Sequence, residues 1–168
     1  MLKVSLAALD RGEVQLREQI APDDPMWQGA GVDLAAPLDV ELAARSVGEG
    51  VFVRGRLRTT VRLACRRCLT SVDNVLDEEV DFFFEPLTEE DEEAEGEVYP
   101  LPARGDELDL AEAVREQLLL RAPEFALCSE ECRGLCPQCG TDLNTGECEC
   151  VPEQAESPWG ALKNVKFD

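Results

Sequence analysis

Eight cysteines are the residues of this chain best suited to chemistry: Cys65, Cys68, Cys128, Cys132, Cys136, Cys139, Cys148 and Cys150. Six of them crowd into "LCSEECRGLCPQCGTDLNTGECEC", and the other two form "CRRC" about sixty residues upstream. Eight thiols are two sets of four, the number a tetrahedral structural zinc site takes. A Cys-x2-Cys pair holds two sulfurs about 3.5–4 Å apart, as zinc–sulfur bonds of about 2.3 Å require. "CPQCG" is such a knuckle, with Pro137 to set a turn and Gly140 to permit positive φ. The chain has no histidine. That excludes Ser-His-Asp and Cys-His catalysis and every imidazole-bound metal site. All-thiolate sites are closed, so the expected role of the two zinc ions is folding, and no catalytic residue is assigned. The bacterial ferredoxin spacing is absent, and no βαβ pattern surrounds either Cys-x2-Cys pair to suggest a redox motif.

The partition of the eight is open to two readings. In the first, Cys136, Cys139, Cys148 and Cys150 form a ribbon-like unit turning through Asn144-Thr145-Gly146, and Cys128 and Cys132 join Cys65 and Cys68. In the second, both knuckles share one ion and the remaining four cysteines share the other. The first reading is preferred because its ribbon is self-contained.

The elements that must position these residues are written in period two. "VFVRGRLRTTVRL" places Arg54, Arg56, Arg58 and Arg62 on one side and Val53, Leu57, Val61 and Leu63 on the other. After "CRRCLT", Asp73, Asp77, Glu79 and Asp81 alternate with Val72, Leu76, Val80, Phe82 and Phe84. A hairpin whose paired positions sum to 135 sets Arg62 against Asp73, Arg58 against Asp77, Arg56 against Glu79, and Arg54 against Asp81. Only that register satisfies charge and burial together, since a slip by one residue flips every side chain. Glu78 is the misfit, and a bulge there would break the register. "LKVSL", "EVQLREQI" and "LDVELAAR" read as further strands, residues 21–36 as loop with one helical turn, and "GEG" as a turn. A helix is expected over 109–121, with Asp109 and Glu112 as a capping box, Leu110, Ala113, Val114, Gln117 and Leu118 as its stripe, and Pro123 as its stop. "TEEDEEAEGE" reads as an acidic loop, and Ser157-Pro158 as the start of a short closing helix bearing Trp159 and Leu162.

The chain has 168 residues and a net charge of −20, from 16 basic against 36 acidic side chains. Such a chain repels nucleic acid unless its cations are concentrated. Six arginines do cluster between 54 and 67. Four of them face the acidic ladder. Arg66 and Arg67 lie between the knuckle thiolates, where they either contact RNA or offset the −2 charge of a four-thiolate zinc site. The start of the chain is too charged for a signal peptide, and no apolar run is long enough to span a membrane. A cytoplasmic protein with reduced thiols is therefore expected.

"CRRCL", "LDLAEAVREQLLLRAP", "GLCPQCGTDLN" and "SPWGALKN", in that order, resemble the YceD family, described as large ribosomal RNA subunit accumulation proteins. The resemblance covers nearly the whole chain and is most specific at 65–69 and 109–150. It implies a non-enzymatic factor for accumulation of 23S ribosomal RNA, with ribosome assembly intermediates, ribosomal RNA or basic ribosomal proteins as partners and no small-molecule substrate. An adaptor that meets basic ribosomal proteins through its acidic surface is equally compatible. The family also implies that the site of Cys65, Cys68, Cys128 and Cys132 is the more basic one, because some members lack the ribbon. The usual Asp-Pro-Arg ending is Ser157-Pro158-Trp159 here, which loses a cation. The expected fold is α+β: an antiparallel β-rich body over 1–127, as a meander or partly closed barrel-like sheet with one main helix. A zinc-ribbon-like lobe with the closing helix follows over 128–168, tied to the hairpin tip at 65–68.

Overall fold

The arginine-bearing hairpin organises the chain. A computed structural model describes residues 2–86, 98–102 and 106–150. The expectations for the acidic run and the closing helix concern segments outside the described residues. In chain order the elements are β1 (Lys3–Ser5), α1 (Leu6–Leu9), β2 (Val14–Ile20), a 3-10 turn (Pro25–Trp27), β3 (Leu38–Val47), β4 (Gly50–Ala64), β5 (Ser71–Glu85), β6 (Val98–Pro100), β7 (Glu107–Asp109) and α2 (Ala111–Arg121). A five-stranded sheet runs β2-β3-β4-β5-β6, and β1 pairs with β7 in a separate ribbon.

β4 and β5 pair antiparallel in the expected register, from Val51 opposite Phe84 to Ala64 opposite Ser71. Arg62 faces Asp73, Arg58 faces Asp77, Arg56 faces Glu79 and Arg54 faces Asp81. No bulge forms at Glu78, which pairs with Leu57 and remains exposed. The ion pairs follow the register with one diagonal step. Arg62 Nε lies 3.1 Å from Asp73 Oδ1 and Arg58 Nη2 lies 2.9 Å from Asp77 Oδ2, but Arg56 reaches past Glu79 to share Asp77. Those two guanidinium partners hold the Asp77 carboxyl below its usual range.

The apolar face of the sheet is the core. Leu38, Leu42, Leu57 and Phe82 are each at most 2% exposed, and burying each such side chain contributes about 1.5–3 kcal/mol. α2 supplies the opposing layer with Leu110, Ala113, Val114, Gln117 and Leu118 all buried, as its stripe predicts. Gln117 stands on that stripe without an unmet group, because its Nε2 donates 3.1 Å to Tyr99 Oη and its Oε1 accepts from Arg121. Phe82, Phe84 and Tyr99 complete the layer as a ring cluster, with centroids 5.4–5.9 Å apart.

The structure departs from the sequence reading in three places. α2 begins at Ala111 rather than at 109, because residues 107–109 are drawn into the ladder with β1. Asp109 still caps, with Oδ1 accepting from Ala111 N at 2.9 Å, but from outside the helix, and Leu110 takes the cap position. β6 joins β5 parallel, so the sheet is not wholly antiparallel. Among the described residues the sheet does not close on itself, and β2 and β6 are its edges, so it forms an open meander with no closed barrel.

Candidate metal centre

The tip between β4 and β5 is the first knuckle. Cys65 N donates to Thr70 O at 2.8 Å, and Leu69 N returns a bond to Cys65 O at 2.9 Å. The second knuckle repeats this bond for bond: Cys136 N to Thr141 O at 2.8 Å and Gly140 N to Cys136 O at 2.9 Å. "CRRCLT" and "CPQCGT" are thus one backbone motif used twice. The fifth position of each requires positive φ. Gly140 meets it at +74°, while Leu69 adopts +63° with its side chain exposed. The two threonines also correspond, with Thr70 Oγ1 3.3 Å from Cys68 Sγ and Thr141 Oγ1 3.1 Å from Cys139 Sγ.

The eight sulfurs gather into two quartets, Cys65, Cys68, Cys128 and Cys132 in one and Cys136, Cys139, Cys148 and Cys150 in the other. Within each, all ligand atoms lie within 4.8 Å of one another. Cys65 Sγ is 3.8 Å from Cys132 Sγ, and Cys68 Sγ is 3.5 Å from Cys128 Sγ. A tetrahedron with bonds of about 2.3 Å has edges of about 3.8 Å, so the donor sets fit a thiophilic ion such as zinc. The grouping that would put both knuckles on one ion is not the one adopted.

The first quartet is a clasp between distant parts of the chain. Cys65 bridges in parallel to Ala126, and Arg66 N donates to Ala126 O at 3.0 Å. Arg67 then grips the incoming segment, its Nη1 donating to Cys132 O at 2.9 Å and Glu130 O at 3.1 Å. Leu135 N donates to Arg67 O at 3.0 Å. Gly134 makes that approach possible, since at φ +75° a Cβ there would stand 2.9 Å from Arg67 O. The Arg66 guanidinium lies 5.1 Å from the centroid of the exposed Phe125 ring. Of the two arginines singled out in the sequence, Arg67 is engaged by backbone carbonyls and Arg66 by an aromatic face.

Electrostatics divide each quartet. Backbone N–H groups of Arg67, Cys128 and Cys68 draw Cys65 down to about 6. Hydrogen bonding to Cys132 and Cys68 pushes Cys128 up to about 12. In the second quartet, Thr141 draws Cys139 down to about 6, and the sulfur of Cys139 pushes Cys150 up to about 12. The knuckle sulfurs, Cys65 and Cys68 in one quartet and Cys136 and Cys139 in the other, lie below the usual thiol range, and their charge raises the cost of ionising Cys128, Cys148 and Cys150. A divalent cation held by the four sulfurs would remove that cost and favour the thiolate form of each ligand.

Sequence reasoning missed Asn144 as anything beyond a turn residue. Its Oδ1 accepts from Arg133 N at 2.7 Å, and its Nδ2 lies 3.5 Å from Cys132 Sγ. The signal for it was weak, because an Asn before Thr-Gly is an ordinary turn residue.

Fold and site together define a β-meander protein clasped by paired cysteine quartets. The family described as "Large ribosomal RNA subunit accumulation protein YceD" matches residues 53–166, which span both quartets, and the chain belongs to it. It is 32% identical over 138 residues to an uncharacterized protein of Mycobacterium tuberculosis, covering 78% of this chain and 63% of that one. It is 25% identical over 138 residues to a chloroplastic protein of Arabidopsis thaliana named as a large ribosomal RNA subunit accumulation protein YCED homolog, covering 67% of this chain and 43% of that one. A chloroplastic Zea mays protein of the same name is 36% identical over 56 residues, covering 33% of this chain and 19% of that one. The chain therefore spans less than two thirds of the length of these relatives. No solved structure matches it. No described helix is long and apolar enough to cross a membrane.

Proposed function

We propose that this protein is a non-catalytic factor in large ribosomal subunit biogenesis that supports accumulation of 23S ribosomal RNA in the cytoplasm. Each quartet holds one structural zinc ion, in a lobe starting near residue 128 and tied to the hairpin tip. The observation that carries this reading is the family match across residues 53–166, which takes in both quartets and the clasp between them. The chemistry of the donor set agrees, because a four-thiolate zinc site has no open position for substrate or water. Depletion of the protein in its own host, with complementation by wild type and by a Cys65→Ser plus Cys68→Ser variant, tests the reading. The ratio of 23S to 16S ribosomal RNA is expected to fall on depletion and recover only with wild type. An unchanged ratio on depletion refutes the proposal.

A second reading, an acidic adaptor for basic ribosomal proteins, is favoured by the way the arginines are used. Arg56, Arg58 and Arg62 are paired with carboxylates and Arg67 with carbonyls, in a chain of net charge −20. Binding to a 23S fragment across a salt series separates the two. If Arg66 touches phosphate, Arg66→Ala weakens binding and lowers the salt slope by about one. No binding at low salt leaves the adaptor.

A further inference from the structure

The geometry points to Asn144 as the link between the two quartets, so that metal in the second raises the affinity of the first. This rests on the zinc reading above and extends it from two sites to a coupled pair.

Asn144 lies between Cys139 and Cys148, inside the loop the second quartet closes. Its orientation follows from one partner. Arg133 N can only donate, so the oxygen of the amide faces it, at 2.7 Å. The NH2 group must then point the other way, where it finds Cys132 Sγ at 3.5 Å and Asp142 Oδ1 at 2.7 Å. Both are acceptors, so both N–H donors of the amide have a partner. Cys132 belongs to the first quartet and is 4% exposed, so little water competes for its sulfur.

The position of Asn144 is set by the ribbon turn. Asn144 N donates to Asp142 Oδ1 at 2.9 Å, Gly146 N donates to Asp142 O at 2.9 Å, and Leu143 N donates to Gly134 O at 2.9 Å. Two residues beyond Gly146 the chain reaches Cys148. An ion held by Cys136, Cys139, Cys148 and Cys150 closes both ends of this loop, and so places the amide against Cys132. An N–H donor relieves charge on a metal-bound thiolate, and loss of such an outer partner costs about 10–100-fold in affinity. Coupling of this kind is reciprocal, so an ion in the first quartet must tighten the second by the same factor.

Cobalt titration of the reduced full-length chain, with a competing chelator and thiolate-to-cobalt absorption as the readout, tests this. Asn144→Asp keeps an oxygen for Arg133 N and removes the donor to sulfur. Cys148→Ser with Cys150→Ser removes the second site, and Cys65→Ser with Cys68→Ser assigns the spectra. Wild type is expected to take two ions. Asn144→Asp is expected to take two as well, with first-site affinity reduced about 10–100-fold. The Cys148/Cys150 variant takes one ion with a similar reduction, and adding Asn144→Asp to it changes first-site affinity little further. Unchanged first-site affinity in either variant, or reductions that multiply in the combination, overturns the coupling while leaving two independent sites. A wild-type chain that shows no four-thiolate cobalt spectrum overturns the metal reading and the coupling with it.

Discussion

Gly134 and Gly140 form a natural experiment on the clasp. Their φ angles are +75° and +74°, yet a Cβ at Gly134 would meet Arg67 O at 2.9 Å and Arg67 Cβ at 3.3 Å, whereas a Cβ at Gly140 would meet nothing within 4 Å. Alanine at either position bears left-handed strain of about 1–2 kcal/mol. At 134 the methyl also pushes on the carbonyl that accepts from Leu135 N at 3.0 Å, a bond worth about 1 kcal/mol. Gly134→Ala should therefore cost about 2–3 kcal/mol, and only in the closed clasp, where residue 134 lies on Arg67. At about 1.4 kcal/mol per decade that is roughly a 30- to 140-fold loss of metal affinity at the first quartet. Gly140→Ala should cost roughly 5- to 25-fold, and at the second quartet. Chelator competition on each variant, with the sites assigned by cysteine-to-serine changes, gives both numbers. Equal losses for the two glycines, or a Gly134→Ala protein within about threefold of wild type at the first quartet, would refute the packing argument.

Leu118→Ala should lower unfolding free energy in urea by about 2–5 kcal/mol without changing metal stoichiometry, because Leu118 lies in the main core and the first quartet in a separate cluster. Metal removal by chelation should abolish hydrogen-exchange protection at Cys65 N, Leu135 N and Cys136 N while the β3–β4 ladder keeps its own; loss of both together would show that the lobe and the sheet unfold as one. Asp77 has a folded pKa held below its unfolded value by Arg56 and Arg58. Its contribution is complete above about pH 4 and is lost as pH falls further, so Asp77→Asn should flatten the loss of stability in that window and leave its slope near pH 7 unchanged.

The hairpin was legible to the residue because two independent patterns, charge and hydrophobicity, shared one period and agreed on one register. The stripe of α2 was legible for the same kind of reason, down to Gln117. Counting gave two sets of four cysteines and left two groupings open, of which the preferred one matches the quartets the structure brings together. What escaped the sequence was set by tertiary partners. Residues 107–109 became a strand because β1 was there to pair with, at the expense of the helix's first turn. β6 has only three residues and borrows its place from the edge of β5. Arg56 chose Asp77 over the facing Glu79, a choice of side-chain reach that register does not encode. The partners of Arg67 and the role of Asn144 escaped for a common reason: carbonyls, a backbone amide and a sulfur have no periodic signature.

Cys132 follows Cys65 by 67 residues. At about 5–20 residues per second of synthesis, roughly 3 to 13 s separate the making of the first thiol from the making of the last. Through that interval β4 and β5 can pair and α2 can form, while "CRRC" waits with half a coordination sphere. An ion held by the first quartet would then be among the last parts fitted. A closed first quartet is in effect a completion mark, formed only once the chain has been made at least as far as Cys132.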